Sequence, residues 1–262
     1  GGWTSPSAVR GAPLQPEIAT GFTRKADVVT QKSAVAAANP LATQAGFEML
    51  KAGGSAVDAA IAVQMVLGLV EPQSSGLGGG AFLLHSTEGD GSTANAKVQA
   101  FDGRETAPAA ATEDMLLNAD GKPLAFHAAV VGGRSVGTPG VLRMLAQAHA
   151  QHGKLPWAKL FGPAIALANK GFPISPRLHA QLKADAYLRL DPTARAYFYQ
   201  ANGEPHAIGH VLRNPELAAV LQRIAAEGVQ AFYSGEVAEA VVRKVQQHPS
   251  NPGRLALTDL TN

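Results

Sequence analysis

The sequence predicts an α+β chain in which helices dominate and strands are few. Three observations predict it. Alanine fills 49 of the 262 positions, and so small and strong a helix former favours closely packed helices over a β-sandwich. The same punctuation recurs along the chain: a capping residue, a proline, an apolar run at helical spacing, then glycine. Only one pair of short apolar runs, around 81–85 and 98–101, reads as a hairpin.

Elements follow in order. Residues 1–30 read as an extended irregular arm, broken by Pro6, Pro13 and Pro16. Ser33-Ala-Val-Ala-Ala-Ala38 is a small-residue run of buried-strand type. Asn39-Pro40 opens a helix, with Asn as cap and Pro in the first turn; Leu41, Ala45, Met49 and Ala52 share a face, and Gly53-Gly54 ends it. Ser55 with Asp58 forms a capping box for a helix over 56–69 that is apolar on nearly every side and therefore belongs in the core. A glycine-rich turn, Ser75-Gly-Leu-Gly-Gly-Gly80, leads into the first strand. Residues 88–96 are its loop, and the returning strand ends in Asp102-Gly103-Arg104-Glu105. Thr138-Pro139, Pro156, Ser175-Pro176 and Asn214-Pro215 then start four helices, ending at Gly153, Gly171, before Pro192 and at Gly228. Residues 235–248 make a fifth. The loosest stretch is 191–213. No linker divides the chain, so 1–262 reads as a single domain.

Composition narrows the function. Lys and Arg number 22 against 20 Asp and Glu, a net charge of +2, which gives no support to nucleic-acid binding. Hydrophobic residues are 46%, which excludes disorder. Cysteine is absent, so a disulfide framework, a Cys zinc site and a thiol nucleophile are excluded. No apolar run is long enough to span a bilayer. A start at Gly1-Gly2 rather than Met reads as a processed N-terminus.

Few residues suggest chemistry on their own. The glycine run lies between a helix and a strand, the reverse of the strand, loop, helix order that a dinucleotide phosphate needs; close backbone approach explains it better. Arg104 stands at a strand end, where its planar guanidinium could bind a carboxylate in bidentate fashion. It could equally be a surface residue paired with Asp102 or Glu105. His149 with His152, and His206 with His210, have ligand-like spacing but lack a third ligand. His85 is unremarkable at a strand end. Ser74-Ser75 lacks the frame of a nucleophile elbow. No complete catalytic set is present.

Several strings, in order, resemble the gamma-glutamyltranspeptidase family. They are Asn39-Pro40-Leu41-Ala42; Leu50-Lys51-Ala52-Gly53-Gly54-Ser55-Ala56-Val57-Asp58; Glu71-Pro72-Gln73-Ser74-Ser75-Gly76-Leu77-Gly78-Gly79-Gly80; Asp102-Gly103-Arg104-Glu105-Thr106-Ala107-Pro108; Val136-Gly137-Thr138-Pro139-Gly140; Gly171-Phe172; and Ala231-Phe232-Tyr233-Ser234-Gly235. The resemblance implies an N-terminal nucleophile hydrolase, an αββα four-layer sandwich shared between a large and a small subunit cut from one precursor. This chain resembles the helix-rich large-subunit portion only. The Thr nucleophile is then expected on the small subunit, with no catalytic residue in this chain, which alone should be inactive. Arg104 is implied to bind the α-carboxylate of a gamma-glutamyl donor such as glutathione and to point into the shared cleft, with Glu105 as a possible orienting residue. Acceptors are amino acids, peptides or water, no metal or organic cofactor is required, and the location is periplasmic or secreted. A glutaryl-cephalosporin acylase of the same family is the alternative activity, since an Arg serves glutaryl and glutamyl donors alike. An Ala-rich helical binding module is the non-enzymatic alternative.

Overall fold

The computed structural model describes residues 24–87 and 96–262. The hairpin loop expected over 88–96 falls almost wholly outside them, as do positions 1–23 of the arm. Residues 24–30 are irregular and exposed.

Helices dominate. The core is built on α1 (Pro40–Lys51) and α2 (Ala56–Val70). Asn39 caps α1 by accepting from Leu41 N at 3.0 Å. Ser55 and Asp58 complete the capping box of α2: Ser55 Oγ accepts from Asp58 N at 3.1 Å and Asp58 Oδ2 from Ser55 N at 2.9 Å. Ile61, Ala62, Met65, Val66 and Val70 are buried, so α2 runs through the middle of the fold. It packs on α1, on α4 (Val141–His152), on α5 (Gly162–Lys170) and on a 3-10 turn at Trp157–Phe161.

Among the described residues, two antiparallel pairs complete the α+β arrangement. β1 (Ala81–Thr87) pairs with β2 (Lys97–Gly103), with Leu83 opposite Phe101 and Leu84 opposite Ala100. β3 (Phe172–Pro173) pairs with β4 (Val211–Leu212). One face of the first hairpin packs inward through Phe101 against α4. The other carries Phe82, Leu84 and Val98, at 66%, 75% and 67% exposure. Such a hairpin is marginal alone in water, and this face is apolar without a cover among the described residues.

The remaining helices are α3 (Phe126–Val130), α6 (Pro176–Ala184), α7 (Pro192–Phe198), α8 (Pro215–Glu227), α9 (Gln230–Tyr233), α10 (Gly235–Gln246) and α11 (Leu257–Thr261). Asp191 Oδ2 accepts from Ala194 N at 2.9 Å and starts α7 inside the stretch expected to be loosest. The single helix expected from Pro156 to Gly171 is a 3-10 turn followed by α5, because Pro163, in the first turn of α5, has no N–H to continue the ladder. The expected strand at Ser33–Ala38 is absent: the segment is irregular and mostly exposed, and among the described residues no strand lies beside it to pair with.

Candidate functional site

The site is assembled where three backbone segments meet at the end of β2. β2 stops at Gly103 because Asp102 Oδ1 accepts from Arg104 N at 2.9 Å, a local turn that replaces the ladder. Arg104 then projects outward, its side chain 71% exposed. Its ion-pair partner among the described residues is Glu105, whose Oε2 lies 3.9 Å from the Arg104 Nε. That contact is loose and leaves the guanidinium fork able to take a second carboxylate.

The glycine-rich loop holds Glu105 from the other side. A Cβ on Gly80 would sit 2.6 Å from Glu105 Oε2, 2.7 Å from Gly103 O and 2.8 Å from Glu105 N. Only hydrogen fits there. The order helix, loop, strand is observed, and Gly80 is the position in the run where close backbone approach demands glycine; a Cβ at Gly76 or Gly78 would meet nothing within 4 Å. The loop's entry is fixed by Glu71, buried at the end of α2, which accepts from Asn39 Nδ2 at 2.9 Å and from Gln73 Nε2 at 2.6 Å.

Among the described residues, two cavities stand out, and Arg104 lines neither. One, of about 850 Å3, opens between Tyr187, Leu190, Arg243 and His248. The other, of about 230 Å3, lies beside Gln73 and Phe198. Arg104 thus stands on an open surface, one residue past the apolar hairpin face, and any cleft around it needs a further wall.

The histidines do not converge. His85 and His152 stack at 3.9 Å and His206 and His210 at 4.1 Å. Burial, then the neighbouring imidazole, pushes His85 and His206 below the usual histidine value. Among the described residues no group of three His, Asp or Glu could hold a metal, and no helix is long and apolar enough to cross a membrane.

Arg104, Glu105 and the glycine loop, all singled out in the sequence, lie together here, but the long-range contacts of two buried carboxylates are not foreseen. Glu71 lies in a motif string, yet its partner Asn39 is 32 positions away. Asp58 reads as a cap, and its Oδ2 also accepts from Lys154 N and Leu155 N, each at 2.9 Å. No local pattern foretells either contact.

Comparison with known proteins gives the context. The family model described as gamma-glutamyltranspeptidase matches residues 42–262. The glutathione hydrolase proenzyme of Bacillus subtilis (strain 168) is 40% identical over 228 residues, which is 87% of this chain and 37% of that protein. The crystal structure of Helicobacter pylori gamma-glutamyltranspeptidase superposes with a TM-score of 0.82 at 28% identity, covering 90% of this chain and 65% of that one. A cephalosporin acylase from Bacillus halodurans superposes at 0.68 with 31% identity, covering 92% and 45%. The chain spans about a third of the length of the curated relatives it matches.

Proposed function

The chain belongs to the gamma-glutamyltranspeptidase family, and from that premise we propose that it is the large-subunit portion of an enzyme that transfers or hydrolyses the gamma-glutamyl group of glutathione and related amides. The observation that carries this is Arg104: a guanidinium on a rigid strand end, loosely held by Glu105 and open to a carboxylate. Glycine packing fixes the turn beneath it. Arg104 takes the donor α-carboxylate through two parallel N–H donors, and Glu105 keeps the fork turned outward.

The attacking group comes from a companion chain. An N-terminal Thr hydroxyl adds to the γ-carbonyl while its proton passes to the Thr's own amine, which then protonates the departing amine. Water or an amine acceptor next attacks the resulting ester and releases the Thr hydroxyl. This chain's part is to bind and orient the donor. The exposed face of Phe82, Leu84 and Val98 supports the companion: its sheet covers that face, completes the four-layer sandwich and walls the cleft at Arg104. The whole acts as one domain, in the periplasm or outside the cell, as the resemblance implies.

Two experiments test this. The whole enzyme, purified, should show by mass spectrometry a second chain beginning with Thr, and should release glutamate from glutathione faster than it deacylates a glutaryl-cephalosporin. The reverse preference would assign it to the acylases; a lone chain inert to both would favour a binding module. Separately, Phe82→Asp with Leu84→Asp places two charges under the proposed interface, where uncompensated burial is prohibitive. The two chains should then fail to co-purify while α-helical circular dichroism persists. Intact co-purification would mean that the companion does not cover this face.

A further inference from the structure

We infer that Tyr233 is a positioning residue for Arg104, acting as the N-terminal cap of a helix whose own cap position must be glycine. This rests on the donor-binding reading of Arg104.

Helix α4 begins at Val141, directly behind the Arg104 turn. Its cap residue is Gly140, which offers no side-chain hydrogen bond. The reason is steric. A Cβ on Gly140 would lie 2.4 Å from Gly103 O and 2.8 Å from Arg104 O, so the ordinary capping residues Ser, Thr, Asn and Asp cannot stand there without displacing the backbone that carries Arg104. Gly103 makes the reciprocal concession: its Cβ would meet the Met144 side chain at 2.6 Å. The 137–140 segment is also stitched to the turn by Thr138 N donating to Thr106 O at 2.8 Å. It is tied to the glycine loop by Gly140 N and Val141 N donating to Gly79 O at 3.2 Å each.

A helix start without a cap leaves orphan N–H groups. Here the third helical residue, Arg143, has its N–H directed at the hydroxyl of Tyr233, at 3.4 Å. The same hydroxyl donates to Pro139 O at 2.8 Å. One oxygen, 90 positions from Arg143 in the chain, therefore spans the junction between loop and helix. Tyr233 is fully buried. The Arg143 guanidinium lies 4.1 Å above its ring and donates to Leu260 O, which holds the ring in place. Glycine at 140 gives the close approach that the Arg104 turn needs, and Tyr233 supplies from α9 the hydrogen bond that glycine cannot.

The test is a double-mutant cycle on the whole enzyme, with KM and kcat measured for a gamma-glutamyl anilide. Tyr233→Phe keeps the ring and removes only the hydroxyl. It should raise KM about fivefold, the size of one lost cap, with kcat little changed. In an Arg104→Ala background the same change should add nothing further, because coupled residues are non-additive. An unchanged KM in the single variant, or an equal rise in both backgrounds, would overturn the inference and make Tyr233 a general structural residue. Gly140→Ala should behave as Tyr233→Phe does. If Arg104→Ala itself leaves KM unchanged, the donor-binding reading fails, and this inference falls with it.

Discussion

Replacing Arg104 with lysine is expected to raise the donor KM at least about tenfold while the precursor still cuts itself into two chains. Lysine keeps the positive charge but offers a single rotating ammonium in place of the planar fork. The turn that presents residue 104 is set by Asp102 and the surrounding glycines rather than by the side chain itself, so the variant should fold. Arg104→Ala removes the charge as well. Once a companion wall shields the site, losing one partner of a hydrogen-bonded charge pair costs about 2–5 kcal/mol, or roughly thirtyfold to several-thousandfold in KM. Steady-state kinetics with a gamma-glutamyl anilide reads both variants. Equal KM values in wild type and Arg104→Lys would mean that no bidentate contact is made.

The second large effect is on stability. Asp58 is fully buried, and one carboxylate oxygen accepts three backbone N–H groups, from Ser55, Lys154 and Leu155, all at 2.9 Å. It therefore caps α2 and pins the loop after α4 with one atom. Asp58→Ala leaves those donors buried and unmatched, at about 3 kcal/mol or more. In a chain of this size that corresponds to a fall in Tm of about 6–12 °C. Burial alone opposes ionisation of Asp58, but the three N–H donors and the charge of nearby His149 outweigh it and hold the carboxyl below the usual aspartate value. A carboxyl depressed in the folded state stabilises the protein above its unfolded pKa, and that contribution is lost as pH falls through the folded value. The difference in Tm between wild type and Asp58→Asn should therefore be full at pH 7 and shrink below about pH 4. A difference that stays constant across that range would mean that the charge of Asp58 contributes nothing.

What the sequence disclosed was local. Asn39-Pro40, Ser175-Pro176 and Asn214-Pro215 announce helix starts because a cap and its target lie within three residues, and each cap bond forms. Arg104 stands out in the sequence because a strand end and a motif string coincide there, and it does follow directly on the end of β2. The glycine loop reads as a place of close approach, which holds at Gly80, where Gly103 O and Glu105 crowd in, but not at Gly76 or Gly78. What stayed hidden is held by contacts between distant positions. Glu71 needs Asn39, and Tyr233 needs Pro139 and Arg143. Ser33–Ala38 looked like a strand by composition, yet strands are made by neighbours, and small side chains alone bury too little surface to hold one. Asp191 repeats the same cap-and-proline signal before α7 and was passed over in a stretch rich in turn residues.

The most direct test compares a gamma-glutamyl anilide with its analogue lacking only the α-carboxylate, as kcat/KM in wild type and in Arg104→Ala. Wild type should prefer the carboxylate-bearing donor strongly, and Arg104→Ala should lose most of that preference by losing the better substrate. If the preference survives undiminished without the guanidinium, the carboxylate is held elsewhere and Arg104 is not its anchor.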